Sequence, residues 1–267
     1  RGIVWEECMI LLPKRITMIM LSATIDKPED FASWLGDLKQ KPINLIIKNK
    51  RIIPLTHYYY NTGSLMEIAD NDGNFKNYDI LREEYKIESI SKLMNPFVEF
   101  LKRNELLPCL FFIFSRDKCE KYCKMIQKNL ITTEESCLVD KIFNSKLSKY
   151  KHLYDKTPQY NELYSLLKKG IAYHHSGVVP ILKEIVEILF EQGLVKILFC
   201  TETFAVGINA PTKTAIFTKL SKFWDGGLRY LQTDEYLQMA GRAGRRGLDK
   251  LGRVIILPIE ELVEEKV

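Results

Sequence analysis

Short apolar runs alternate with amphipathic stretches along most of this 267-residue chain. Ile16–Leu21, Ile43–Ile47, Leu110–Phe114, Val195–Cys200, Thr214–Phe217 and Arg253–Leu257 have the length and composition of strands, and Ile16–Leu21 and Leu110–Phe114 read as buried ones. Between them lie helical patterns. One covers Lys27–Leu35 and is expected to close near Gly36; another runs from about Asp117 to Lys128. A third starts at Pro180, places Ile181, Ile185, Ile188 and Leu189 on one face, and stops at Gly193. Thr132–Leu167 reads as mostly helical and polar. Arg51–Tyr60 reads as the lead from one domain into the next, and Asn61–Asn77, rich in Asn, Asp and Gly, as a mobile loop. Helices between short apolar strands predict an α/β fold, a parallel sheet covered on both faces. Active groups in such a sheet belong in loops at the carboxyl ends of the strands. Ser22, Ser115, His174–Gly177, Thr201 and a loop of arginines near residue 245 all follow strand or apolar segments, so one shared functional edge is expected.

Composition narrows the class without choosing a function. Hydrophobic residues make up 46%, enough for a real core, and the net charge of +5 is a mild basic excess compatible with a polyanionic partner. No apolar run approaches a membrane span and no secretory signal is visible. The six cysteines form no CxxC pair. Cys119 and Cys123, four apart on a predicted helix, lack companion ligands, so reduced structural thiols and no metal site are expected. The setting read from this is intracellular, with nucleus and cytoplasm both open.

The most informative stretch is Gln238–Gly247, QMAGRAGRRG. Guanidinium forks match phosphate oxygens bidentately, and flanking glycines let the backbone turn tightly against a ligand. Arg242 and Arg245 are three apart and share a face of a helical or turn-like backbone. With no carboxylate between them, they look aimed at a polyphosphate. Asp234 and Glu235 precede the helix and read as first-turn acids rather than metal ligands.

Gln238–Arg245 resembles motif VI of superfamily-two helicases, QxxGRxGR. Other blocks follow the same order: MLSATI at Met20–Ile25 is similar to motif III, YHHSGVVP lies at Tyr173–Pro180, and TETFAVGINAP at Thr201–Pro211 is similar to motif V. The HHSG and TETFAxGxNxP forms, with RGIVWEE at Arg1–Glu7, resemble the superkiller-like, exosome-assisting branch of DExH-box RNA helicases.

That resemblance implies specific roles. Arg242 and Arg245 would be arginine fingers for the γ-phosphate of ATP, and Gln238 would help order nucleotide and water. Arg246 lies outside the finger pair. Gly207 would permit close approach, and Asn209 would contact nucleotide ribose or couple the sites. Thr201, the amides near His175, Ser176, Gly177, Ser115 and Arg116 would hold RNA phosphates, which implies sequence-independent binding. His175 is equally open to a structural role. Adjacent histidines on an extended segment face opposite ways, which argues against a shared metal ion at His174 and His175. Ser22, Ala23 and Thr24 would couple hydrolysis to strand separation, and Glu202 would order its loop. The KFWDGG stretch at Lys222–Gly227 departs from the family's KFDG by Trp224, for which packing or stacking is expected.

The chain contains no GxxxxGK[ST] and no DExH box. It therefore reads as residues 1–50 from the carboxyl part of a first RecA-like domain and 51–267 as a second. Alone it is expected not to hydrolyse ATP, since ATP and Mg²⁺ would be held mainly by the rest of the first domain. The implied whole is an ATP-dependent RNA helicase acting on single-stranded RNA, with an RNA-degradation complex as a possible partner and no membrane. A DNA helicase of a related branch and a non-catalytic RecA-like nucleic-acid-binding module are the alternatives.

Overall fold

A computed structural model describes residues 2–22, 25, 27–48, 51–77, 90–148, 151–155, 157–205 and 212–257. The chain divides into two compact units, Arg1–Arg51 and Ile52–Val267.

The first unit holds helices α1 (Gly2–Leu11) and α2 (Pro28–Lys39). Pro28 opens α2, Glu29 and Asp30 sit in its first turn and Lys39 in its last, as the helix dipole favours. Lys39 donates from Nζ to the Leu12 carbonyl at 2.6 Å, beside the end of α1. Gly36 does not close the helix; Gln40, in the left-handed region, does. The apolar runs at 16–21 and 43–47 differ from expectation, because neither forms a strand, and Ile19 and Leu21 are almost fully exposed. A strand needs a neighbour for its hydrogen bonds, and the described residues of this unit supply none.

The second unit is built on a seven-stranded sheet. Its elements in chain order are β1 (Leu55–Asn61), β2 (Ser64–Ala69), α3 (Ile90–Arg103), β3 (Cys109–Phe112), α4 (Arg116–Met125), α5 (Thr133–Leu147), α6 (Lys151–Tyr154) and α7 (Pro158–Leu167). Then come β4 (Ile171–His174), α8 (Pro180–Glu191), β5 (Ile197–Cys200), β6 (Thr214–Phe217), the hairpin β7 (Ser221–Trp224) and β8 (Gly227–Tyr230), α9 (Thr233–Ala240) and β9 (Gly252–Ile256). Strand order is β2-β1-β9-β6-β3-β5-β4, and every neighbour is parallel except the β1–β2 pair. Strands β3, β4, β5 and β6 are buried at every residue, which is why three of them read as unbroken apolar runs. Aromatic rings run through the core, with Phe111 stacked on Phe199 at 4.6 Å and edge to face with Phe97 at 6.0 Å. His174 faces Glu187 of α8 while His175 faces Glu120 of α4, so these helices cover opposite faces of the sheet. The expected doubly covered parallel sheet is present.

Two stretches correct the sequence reading. Leu55–Asn61 is not a connector but a sheet strand with Tyr59 and Tyr60 buried. Asn61–Asn77 is not one mobile loop. Thr62 and Gly63, both at positive φ, turn the chain into β2. Asp70 then accepts from the amides of Asp72 and Asn74, each at 3.0 Å, and shapes a second turn. The polar residues here are turn chemistry. The helical expectation for Thr132–Leu167 holds as α5, α6 and α7; α5 buries Val139, Phe143 and Leu147 and α7 buries Leu163.

Candidate functional site

Three loops leave adjacent strands β3, β5 and β4 at one level, because Phe112 and His174 both pair with Cys200. Ser115 follows β3 and caps α4, its Oγ accepting from the Lys118 amide. Thr201 follows β5. Its amide donates to the His174 carbonyl at 3.3 Å, and its hydroxyl lies 2.9 Å from that of Thr203. Ser176 and Gly177 follow β4 on an exposed turn. A Cβ on Gly177 would sit 3.1 Å from His175 Nδ1 and 3.7 Å from Arg116 Cδ, so Arg116 lies against this turn. The sequence-predicted residues Ser115, Arg116, Thr201, His175, Ser176 and Gly177 therefore gather on one edge.

The amides at this turn are mostly spent within the protein. Gly177 donates to His175 Nδ1 at 3.1 Å, Val178 to the His175 carbonyl at 3.0 Å, and Val179 to Gln159 Oε1 at 2.9 Å. The exposed Ser176 hydroxyl and Arg116 remain at the surface. His175 is buried and stacks on Tyr173, with Nε2 3.2 Å from Glu120 but out of hydrogen-bond alignment. His174 places Nε2 2.7 Å from Glu187, and its buried Nδ1 has no hydrogen-bond partner. Burial holds both imidazoles below their ordinary pKa, against the pull of these carboxylates.

The arginine loop lies at the opposite edge, which corrects the expectation of a single shared one. Helix α9 starts after β8 and carries the chain back about 12 Å at 1.5 Å per residue over its eight residues. The loop it reaches packs on the amino ends of the strands. Thr212, fully buried just before β6, donates its amide to the Arg242 carbonyl at 2.9 Å and accepts from the Gly244 amide at 2.8 Å. Its hydroxyl donates to the Pro108 carbonyl at 2.6 Å, just before β3. Gly244 has φ of 90°, and a Cβ there would overlap Ile53; one on Gly252 would lie 2.6 Å from the Ala243 carbonyl oxygen. Gly247 also has positive φ but opens onto space.

Within this loop Gln238 is exposed on α9 and Arg242 is half-buried. Burial disfavours the charge of Arg242. Arg245 is clasped by Asp249, with Nε to Oδ2 at 2.8 Å, Nη2 to Oδ1 at 3.0 Å and the backbone amide to Oδ2 at 2.9 Å. The side-chain clasp uses two of the five guanidinium N–H donors and orients the fork. Beside Arg245 is an open depression of about 490 Å³, lined also by Pro108, Leu130, Lys196 and Glu135, with Lys196 and Glu135 paired at 2.7 Å.

Comparison with known proteins places these two edges in context. Residues 86–247 match the helicase conserved C-terminal domain model. The chain belongs to that family. It is 38% identical over 98% of its length to human "Exosome RNA helicase MTR4", covering 27% of that protein. It is 36% identical over its whole length to "DExH-box ATP-dependent RNA helicase DExH9" of Arabidopsis thaliana, covering 30%. It is 38% identical over 96% of its length to human "Superkiller complex protein 2", covering 23%. The chain thus spans less than a third of each of these relatives, and the likeness to the superkiller-like branch read from the motifs is borne out. No helix among the described residues is long and apolar enough to cross a membrane.

Several residues of this helicase C-terminal domain that shape the two edges were not legible as such in the sequence. Thr212 and Asp249 lie outside the glycine–arginine spacing, and only their contacts identify them. Lys222 is buried on β7, paired with Glu202 and with Glu235. Glu202, expected to order its loop, is paired with this ammonium. Trp224 lies 5.3 Å beneath both Lys222 and Arg229 and is 59% exposed. Among the described residues, no group of three or more His, Cys, Asp or Glu is arranged to hold a metal ion. Ser22 is exposed in the first unit. Ala23, Thr24, Gly207 and Asn209 lie outside the described residues.

Proposed function

We propose that residues 51–267 form the second RecA-like domain of an ATP-dependent RNA helicase, with residues 1–50 belonging to the first. The observation that carries this reading is the arginine loop itself. A half-buried guanidinium, oriented by Asp249, sits in a backbone cradle packed too tightly at Gly244 and Gly252 for side chains. A merely solvated basic turn needs neither the clasp nor the packing.

In this reading ATP supplies the transferable γ-phosphoryl group, and Mg²⁺ would be held by carboxylates of the first domain. Arg245 and Arg242 meet the charge that develops on the phosphoryl oxygens, and Gln238 helps order nucleotide and water. The clasp fixes Arg245 in advance, so little ordering is needed at the moment of reaction. Gly207 would permit close approach, Asn209 would contact the nucleotide ribose or couple the sites, and Ser22, Ala23 and Thr24 would couple hydrolysis to strand separation. On the other edge, Thr201, Ser176, Ser115 and Arg116 hold sugar and phosphate, with His175 shaping the turn. Contacts of that kind carry no sequence information, so the strand can be tracked whatever its bases. The relatives' names support RNA over DNA and suggest an RNA-degradation assembly as partner.

The test is ATP turnover by the full-length protein with single-stranded RNA, with DNA and with neither. RNA-stimulated, Mg²⁺-dependent turnover is expected. Stimulation by DNA alone, or none by either, contradicts the proposal.

A further inference from the structure

A cluster of charges joins the turn after β5 to the start of α9, the helix that leads to the other edge. Lys222 of β7 has a side chain only 7% exposed, yet its ammonium meets two carboxylates from different segments. Glu202, at 2.5 Å, is the residue after Thr201 in the short turn that leaves β5. Glu235, at 2.7 Å, lies in the first turn of α9. Glu235 also takes a bidentate pair from Arg229 of β8, at 2.7 and 2.9 Å, and accepts the Gln232 amide that opens the helix. The other end of α9 runs directly into Arg242–Arg245.

We propose that Lys222 is a positioning residue that transmits nucleic-acid engagement at Thr201 to the arginine loop. This rests on the reading that Thr201 faces RNA and that the arginines face ATP. An ammonium is a compact charge with three N–H donors, so it can satisfy both carboxylates at once. Buried between them, it holds the Glu202 turn against the first turn of α9, and loss of either contact leaves one of its N–H donors without an acceptor. Movement of the Thr201–Glu202 turn on binding a phosphate therefore acts on α9 through a stiff link. Tyr236, midway along α9, ties the helix to the sheet through His57 Nδ1 at 2.6 Å and the Phe217 ring at 4.9 Å, so a displacement of the first turn tilts the helix about this contact and reaches its far end. A hairpin needing only to be closed does not require a charge buried between the two segments that carry the functional residues.

The test uses the full-length protein and separates relay from staple. Lys222→Met keeps the stem and removes the charge. RNA-stimulated turnover should fall about tenfold, while turnover without RNA and nucleotide-free RNA affinity stay within about twofold. Lys222→Arg, which retains the charge, should restore most of the stimulation. Glu202 is 42% exposed on its side chain, so Glu202→Gln tests the link without a buried change. It should show the same split and add little to Lys222→Met in the double variant. Full stimulation in Lys222→Met overturns the relay. So does a parallel fall of RNA affinity, basal turnover and stimulated turnover in both single variants, which marks a structural staple. No RNA stimulation in the unsubstituted protein overturns the helicase reading, and the relay with it, before any substitution is made.

Discussion

The two edges of the sheet are built by different means. At the carboxyl edge, strand register alone brings Ser115, Thr201 and the Ser176 turn to one level. The groups presented there are small neutral hydroxyls and Arg116. At the amino edge, register contributes only the anchor Thr212, and the rest is close packing around Gly244 and Gly252 with Asp249 holding Arg245. On the proposed reading the first design tolerates small shifts, since a strand of phosphates would offer many equivalent acceptors. The second would not, since on that reading a guanidinium must meet one phosphoryl group in one place. Substitutions should therefore act more gently at the carboxyl edge than at the amino edge.

The largest effect is expected at Arg242. Arg242→Ala in the full-length protein should lower RNA-stimulated turnover by about 10³-fold or more, the range of an arginine finger. Steady-state kinetics at saturating ATP and RNA read this directly; a loss under tenfold removes Arg242 from the finger pair.

Packing at the amino edge can be broken with two glycines. Gly244→Ala must adopt positive φ and displace Ile53, and should cost about 2–4 kcal/mol by urea denaturation of the 267-residue chain. Gly247→Ala meets only the backbone penalty and should cost about 1 kcal/mol. Equal costs contradict the cradle.

The link between the edges is sharpened by pH. Arg229 and Lys222 hold the Glu235 carboxyl down to about 2. The ionised form is the bound form, so its stabilisation is complete above the ordinary carboxylate range and is lost as pH falls toward about 2. The Tm difference between the protein and Glu235→Gln should thus be constant above about pH 5 and shrink below about pH 4. His57, His174 and His175, held low by burial, lower the Tm of both proteins already below about pH 6.5 and leave the difference intact. A difference unchanged at low pH removes Glu235 from the cluster.

Much of this arrangement was legible in the sequence, and the misses have physical causes. The central strands were visible because burial on both faces makes them continuous apolar runs, as at Leu110–Phe112 and Ile197–Cys200. Strand β4 was hidden because its four residues include Tyr173 and His174, and the fold alone brings His174 Nε2 to Glu187 of α8. Hairpin β1–β2 was hidden because turn residues mimic the composition of a mobile loop. The carboxyl edge followed from the rule that loops leave a parallel sheet together. The amino-edge position of the arginines did not, because it depends on the length and direction of α9. Asp249 was missed because a carboxylate four residues from an arginine is ordinary in sequence, and only its three bonds show what it does.

The central claim is that the edges serve different ligands. It is tested most directly by measuring RNA-stimulated turnover and nucleotide-free RNA binding side by side for Arg245→Ala and Thr201→Val in the full-length protein. Arg245→Ala should lose turnover by about 10³-fold with RNA affinity within about twofold. Thr201→Val should weaken binding by about threefold to tenfold, equally for unrelated single-stranded RNAs, and should lower turnover at saturating RNA by no more than the roughly tenfold expected for loss of the Lys222 link. If Arg245→Ala instead abolishes RNA binding while turnover survives, the amino edge holds nucleic acid and the account is wrong.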